Sequence, residues 1–266
     1  MTATHDPTPA DAPAFDATTD YWQEIVGADA LSLPLDPPYV RGYPARLPDG
    51  RYLVLPLRGV PSDPERCVAS LIANQASLDV ADALAGFMAE RARAFGAEMV
   101  VGLPTLGLAF APMVARGLGF KRYVPFGYSR KYWYDERLAV PVRSLTTPDA
   151  GKLLYVDPNL AGSLAGRRVL VVDDAVSTGQ TMVSALELLA RCGAEVAGIV
   201  VAMCQGERWR ARLVDGNGAP IPVACAFESP RMRRVPGGWA PEKAWPTGIP
   251  GPGAGKSPAL RSSPDS

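Results

Sequence analysis

Val169-Leu170-Val171-Val172-Asp173-Asp174-Ala175-Val176-Ser177-Thr178-Gly179-Gln180-Thr181 is the stretch around which the rest of the chain arranges itself. Its first four residues are apolar and mostly β-branched, the mark of a strand buried on both faces in a parallel sheet. The run stops at two adjacent carboxylates and passes into a small polar loop. Met182, Ala185, Leu186, Leu189 and Ala190 then recur at helical spacing up to Gly193, a natural C-cap. The order is therefore strand, acidic pair, Ser/Thr/Gly loop, helix. A loop that opens a helix offers unpaired N–H groups and the positive end of the helix dipole, which suits a phosphate. Gly179 permits close backbone approach, and Ser177, Thr178 and Thr181 add hydroxyl donors. Two carboxylates at the carboxyl end of a strand can accept hydrogen bonds from a sugar diol, at the place where open α/β sheets bind ligands.

Composition narrows the classes. The chain has 266 residues, 47% hydrophobic, and a formal net charge of +0, which suits one globular α/β domain with appendages. Zero net charge gives no footing for non-specific nucleic-acid binding. No apolar run approaches the ~18 residues a spanning helix needs, so no membrane partner is expected. The first fifteen residues have no basic segment followed by an apolar one and do not read as a signal peptide. Cys67, Cys192, Cys204 and Cys225 are scattered without CxxC spacing, which fits reduced thiols in a cytoplasmic protein. The one histidine, His5, lies outside the folded body, so a histidine base, a Ser-His-Asp triad and a histidine metal site are excluded there.

The 169–181 stretch resembles the PRPP-binding motif of the type I phosphoribosyltransferases, where PRPP is 5-phosphoribosyl 1-pyrophosphate. The alternative, an ordinary capped strand-to-helix turn, does not require this combination of acidic pair and Thr-Gly loop. The resemblance covers roughly Leu71 to Met203. It implies an α/β fold, a Rossmann-like parallel sheet flanked by helices, with a small variable hood. It implies a pentosyltransferase that displaces pyrophosphate at C1 of PRPP with a nitrogenous base. Asp173 and Asp174 would hold the ribose 2′- and 3′-hydroxyls as the catalytic pair. Ala175, Val176, Ser177, Thr178, Gly179, Gln180 and Thr181 would wrap the 5′-phosphate. Mg²⁺ would ride mainly on PRPP, with any contact from Asp173 and Asp174 indirect.

Other segments fit the same plan. Met99 to Leu103 reads as a strand, followed by a Gly/Pro turn and a helix from Ala109 to Leu118 closed by Gly119. In the family a loop here binds pyrophosphate and often holds an unusual cis peptide; Thr105, Leu106 and Gly107 are the matching positions, although a plain β–α turn has the same pattern. After a strand at Tyr123 to Phe126, Arg130 and Lys131 match basic residues that contact pyrophosphate. Tyr128, Tyr132, Trp133 and Tyr134 are placed to stack on a base or to pack in the core, and core packing is the commoner fate of aromatics. Asp135 to Asp149 is polar and irregular, either a lid over PRPP or a simple hairpin loop. Lys152 to Asp157 reads as a further strand.

Residues 1–19 read as disordered, 20–230 as a single domain with a hood from about 20–65, and 231–266 as a mostly disordered Pro/Gly/Ser-rich tail. A helix is expected over about Val68 to Arg93, with Leu71, Leu78, Ala81, Leu84, Ala85 and Met88 inward. The core sheet continues through Glu195 to Met203, the chain turns polar after Gln205, and Ile221 to Phe227 gives one more strand. Gly251 to Ser257 imitates a phosphate-binding GxxxxGK[ST] loop, but its first glycine position is Pro250 and no strand precedes it.

Ser177 stands where purine 6-oxo salvage enzymes of the family carry an acid, which resembles the adenine or orotate members more than the hypoxanthine/guanine ones; no dedicated signature for acidic orotate is present, so an adenine-like purine is expected. The expected partners are PRPP and a nucleobase, with a homodimer by family analogy. A non-catalytic PRPP- or nucleotide-sensing regulator on the same fold is the alternative. A PRPP synthetase would need a second such domain and a histidine-bearing ATP site.

Overall fold

The computed structural model describes residues 21–142 and 152–245. The expectations for residues 1–19, for the Gly251 to Ser257 segment and for residues 143–149 of the 135–149 lid fall outside the described residues.

The chain opens with four strands, β1 (Ile25–Val26), β2 (Gly42–Arg46), β3 (Tyr52–Val60) and β4 (Asp63–Ala69). Helix α1 (Leu78–Ala92), strand β5 (Met99–Gly102), helix α2 (Gly107–Gly117) and strand β6 (Val124–Pro125) follow. Next come β7 (Ala139–Pro141), β8 (Leu153–Tyr155) and the short α3 (Pro158–Ala161). The chain then runs through β9 (Arg168–Val176), α4 (Gln180–Arg191), β10 (Glu195–Gln205) and β11 (Val223–Ser229), and closes with β12 (Arg231–Val235) and β13 (Gly238–Pro241).

Five strands make a parallel sheet in the order β11-β10-β9-β5-β6. Val169 to Val172 are all 0% exposed, as their unbroken apolar run requires of a central parallel strand. Alternate residues feed two separate cores. Val100, Leu170, Val172 and Val200 join Leu84 and Met88 of α1 and Phe110 and Val114 of α2. Val101, Val169, Val171 and Ile199 join Met182, Ala185 and Leu188 of α4 on the other face. This is the expected α/β sheet with helices on both faces.

The hood is larger than the sequence suggests and is built from both ends of the chain. A second sheet runs β1-β3-β4-β12-β13, with β2 also on β3, and every pairing in it is antiparallel. Its Leu53, Leu55 and Leu57 lie in the same core as α1 and α2. Several expectations are corrected here. Residues 231–235 and 238–241 are strands, not tail: Met232 is 0% exposed, while Arg231 and Arg233 on either side of it face the other way, as in a half-buried strand. The Arg234 guanidinium donates to the Pro64 carbonyl at 3.0 Å and stacks over Trp239 at 4.5 Å.

The helix expected from Val68 begins ten residues later. Val68 and Ala69 pair with Arg58 and Leu57 in β4, and the Ser77 side chain caps α1 by accepting from the Val80 amide at 3.2 Å. Leu78, expected inward, is 81% exposed because it occupies the first turn beyond that cap. The 153–155 strand is real but joins β7 in a separate antiparallel pair rather than the main sheet. Residues 136–141, expected to be irregular, form a 3₁₀ turn and β7, with Ala139 and Val140 buried.

If β12 is an integral strand, Met232→Ala should destabilise the protein by about 2–5 kcal/mol, the cost of truncating a buried Met. Urea unfolding measures this directly, and a loss within about 0.5 kcal/mol, typical of surface positions, would return 231–241 to the tail.

Candidate active site

In sequence order the parallel strands run first β5, then β6, β9, β10 and β11, so β5 and β9 are spatial neighbours whose connections leave in opposite directions. From β5 the chain crosses by α2 to β6, and from β9 by α4 to β10, with the two helices on opposite faces. Such a switch point opens a crevice outside the carboxyl ends of the strands. Gly102 of β5 pairs with Val172 of β9, and the Leu103 amide donates to the Val172 carbonyl at 2.9 Å. Asp173 and Asp174 therefore emerge beside the turn that leaves β5.

That turn contains a cis Pro104–Thr105 peptide, at the position where the resemblance placed one. It delivers Gly107, the first residue of α2, onto Asp173. A Cβ on Gly107 would lie 2.7 Å from both Cα and Oδ1 of Asp173 and 2.8 Å from the Val172 carbonyl oxygen, so only glycine fits. The helix start has no side-chain cap. Thr105 is exposed, Leu106 is half-buried and Gly107 is buried.

On the other side, Gly179 (φ 78°) is the N-cap of α4, again without a side-chain cap. Helix N–H groups left without side-chain partners are the donors an anion needs. Ser177, Thr178, Gln180 and Thr181 are partly exposed around it, as is Ala175, while Val176 is buried. Among the described residues the hydroxyls of Ser177, Thr178 and Thr181 make no hydrogen bond.

Asp173 is buried and Asp174 partly so. The Asp174 amide donates to Asp173 Oδ1 at 2.9 Å. Burial pushes the Asp173 carboxyl well above its ordinary range, and the Asp174 charge raises it further against the pull of the Asp174 and Gly107 amides. Burial also raises Asp174, while its hydrogen bonds to Asp173 and to the Ala175 amide lower it. Asp173 is thus the member that keeps a proton longest, as expected when two carboxyls share one site.

Tyr128 belongs to this group. Burial raises its phenol to about 12, with the charges of Asp173 and Asp174 adding to the effect. Lys152 Nζ lies 3.6 Å from the Tyr128 ring centroid, so one face of the ring is already covered. The other basic and aromatic candidates are not drawn in. Arg130 and Lys131 are exposed; Arg130 pairs with Glu136 at 3.0 Å. Among the described residues neither bonds to the carboxylate pair or to residues 105–107. Tyr132 is 96% and Trp133 48% exposed, so neither packs in the core. The Trp133 indole N–H donates to Asp157 Oδ2 at 3.1 Å, and Tyr134 leans on Tyr155.

Sequence reasoning passed over the segment after β10. There Arg212 donates to the Thr178 carbonyl at 3.1 Å and Trp209 lies against Gly179. The signal available was three arginines, Arg208, Arg210 and Arg212, within five residues of a polar turn that follows a core strand.

With this geometry in hand, comparison with known proteins is direct. The model of the phosphoribosyl transferase domain matches residues 68–224. The chain belongs to this family. It is 40% identical over 147 residues to the adenine phosphoribosyltransferase of Streptomyces coelicolor, covering 52% of this chain and 74% of that protein. It is 38% identical over 84 residues to the hypoxanthine/guanine phosphoribosyltransferase of Methanotorris igneus, covering 32% of this chain and 43% of that one. The adenine phosphoribosyltransferase structure from Thermoanaerobacter pseudethanolicus superposes with a TM-score of 0.53 at 16% identity, over 66% of this chain and 95% of that chain. That likeness supports the type I fold. Apart from the end of β4, the hood strands lie outside the matched residues, and β11 of the parallel sheet only begins within them.

The raised Asp173 pKa has a consequence for stability. A group whose folded pKa lies above its unfolded value contributes stability that is complete below the unfolded value, about 4, and is lost as pH rises toward the folded value. Asp173→Asn removes that loss. The variant should melt higher than wild type at about pH 7, by roughly 2–4 °C per kcal/mol recovered in a chain of this size, and the two should converge near pH 4. Calorimetric melts across this range check it; equal melting temperatures at neutral pH would show that Asp173 ionises freely.

Proposed function

We propose that this phosphoribosyl transferase family member transfers the 5-phosphoribosyl group of PRPP to a purine base of the adenine kind, with release of pyrophosphate. The observation that carries the reading is the meeting, at one strand switch point, of an acidic pair with two helix N-termini that no side chain caps. One helix start, at Gly107, adjoins Asp173; the other, at Gly179, lies five residues beyond Asp174.

Each part has a role in displacement at C1. The bond from C1 to the pyrophosphate oxygen breaks and its electron pair leaves with pyrophosphate, while a ring nitrogen of the base bonds to C1. Positive charge builds on the ribose as the bond breaks. Asp174, the more readily ionised of the pair, faces that charge and accepts from a ribose hydroxyl; Asp173, held by the Asp174 and Gly107 amides, binds the neighbouring hydroxyl. Negative charge appearing on pyrophosphate falls at the 105–107 turn and the start of α2. Ala175 to Thr181 hold the 5′-phosphate at the start of α4. Preorganised dipoles of this kind stabilise developing charge without reorganising.

The donor set suits Mg²⁺, which takes hard oxygen ligands and keeps water and substrate phosphates in its shell. PRPP oxygens would hold most of its shell, with Asp173 and Asp174 acting on it only indirectly. Bound there, the ion would neutralise charge on the leaving group. Arg130 and Lys131 would reach pyrophosphate by turning their exposed side chains inward, and Tyr132 and Trp133 offer uncovered rings for a base. Tyr128, with Lys152 on one face, offers only its other.

The matched relatives that act on adenine, and Ser177 in place of an acid, support adenine as acceptor. The test is Mg²⁺–PRPP binding by calorimetry followed by pyrophosphate release against adenine, hypoxanthine, guanine and orotate. Release with adenine alone is expected. The double substitution Asp173→Asn with Asp174→Asn should lower turnover by about 10²-fold or more, the scale of losing a transition-state electrostatic contact, with the fold retained. Turnover at the wild-type rate in that variant would sink the site assignment, and binding without release from any base would favour a sensor.

A further inference from the structure

The loop assigned to the 5′-phosphate, Ala175 to Thr181, contains no charged residue, yet a sugar phosphate carries nearly two negative charges at neutral pH. Beside it, the turn after β10 is built against this loop. Cys204 of β10 pairs with Val176 of β9, so the two strand ends lie abreast. The turn is closed on itself: the Trp209 indole N–H donates to the Gly206 carbonyl at 3.0 Å, and Trp209 and Leu213 are 5% and 1% exposed. Both pack on Gly179, where an added Cβ would meet Trp209 Cβ and Leu213 Cδ2 at 3.4 Å. Arg210 is occupied over the Trp209 ring at 4.5 Å. Arg212 instead donates from Nη1 to the Thr178 carbonyl at 3.1 Å.

That bond fixes more than a carbonyl. A trans peptide is planar, with its C=O and N–H pointing in opposite directions. A Thr178 carbonyl held toward the 206–213 turn therefore aims the Gly179 N–H away from it, into the open side of the phosphate loop. Among the described residues that N–H has no acceptor. Guanidinium has five N–H donors and cannot lose its charge, so Arg212 keeps donors and a full positive charge at the rim.

We propose that Arg212 is a positioning residue for the 5′-phosphate, pinning the Thr178–Gly179 peptide and adding a fixed cation to a loop that has none. The inference rests on the PRPP reading above and adds a residue outside the recognised motif.

The experiment compares wild type, Arg212→Ala and Arg212→Lys by calorimetry with ribose 5-phosphate and, separately, inorganic pyrophosphate, and by PRPP turnover. Arg212→Ala should weaken ribose 5-phosphate binding and raise the PRPP KM by about tenfold, the value of one charge-assisted hydrogen bond. Pyrophosphate affinity should stay unchanged and kcat should fall less than about threefold. Arg212→Lys should recover part of the loss, since it restores the charge without the planar fork. Unchanged ribose 5-phosphate binding in Arg212→Ala overturns the proposal, as does equal weakening for both ligands, which marks a general structural role. A wild-type protein that binds neither PRPP nor ribose 5-phosphate removes the underlying reading, and this inference with it.

Discussion

The contact on which the rest of the site depends is the seating of Gly107 on Asp173. Any side chain at 107 would strike the strand backbone, so α2 can start this close only because its first residue has no Cβ. Closeness has two effects. It places a helix N-terminus beside a carboxylate, where amide and dipole favour negative charge. It also walls Asp173 from water, which disfavours that same charge. The second effect wins, since burial is the largest influence on Asp173 and drives it upward. The crevice therefore favours the protonated Asp173 carboxyl more than a water-facing strand end would.

Legibility in the sequence followed the density of physical signal. Between Val169 and Gly193 every constraint agrees: a strand buried on both faces, a loop glycine at positive φ, a strong amphipathic helix and a glycine past its end. Sheet, helices and carboxylate pair could be read there without coordinates. Where burial is one-sided the pattern misleads. Cys67, Val68 and Ala69 continue apolar toward the helix, so periodicity alone extends it, whereas Ser77 caps it locally. Arg231, Arg233 and Arg234 give β12 the composition of a tail, although Met232 and a long-range bond from Arg234 to the Pro64 carbonyl hold it in the hood. Pairing between residues 170 positions apart leaves no local trace.

The site candidates divide along the same line. Those on rigid elements, Asp173, Asp174, Gly107 and the 175–181 loop, converge as their strand and helix ends dictate. Those in the connection after β6 do not, because nothing in a run of charged and aromatic residues says which way each side chain turns. Tyr128 lies toward the carboxylates while Tyr132, four residues later, faces solvent. The antiparallel bridge from Gly127 to Tyr155 and the bond from Trp133 to Asp157 fix the path of that connection, and both partners are distant in sequence.

The matched family segment and the hood are packed as one body. Residues 68–224 supply the crevice, with its carboxylate pair and the close approach of Gly107. The hood is held to that framework by one continuous core, with Leu53, Leu55 and Leu57 packed alongside Leu84 and Met88. Side chains on the hood therefore stand at fixed distances from the strand ends, since a close-packed interior transmits position rather than absorbing it.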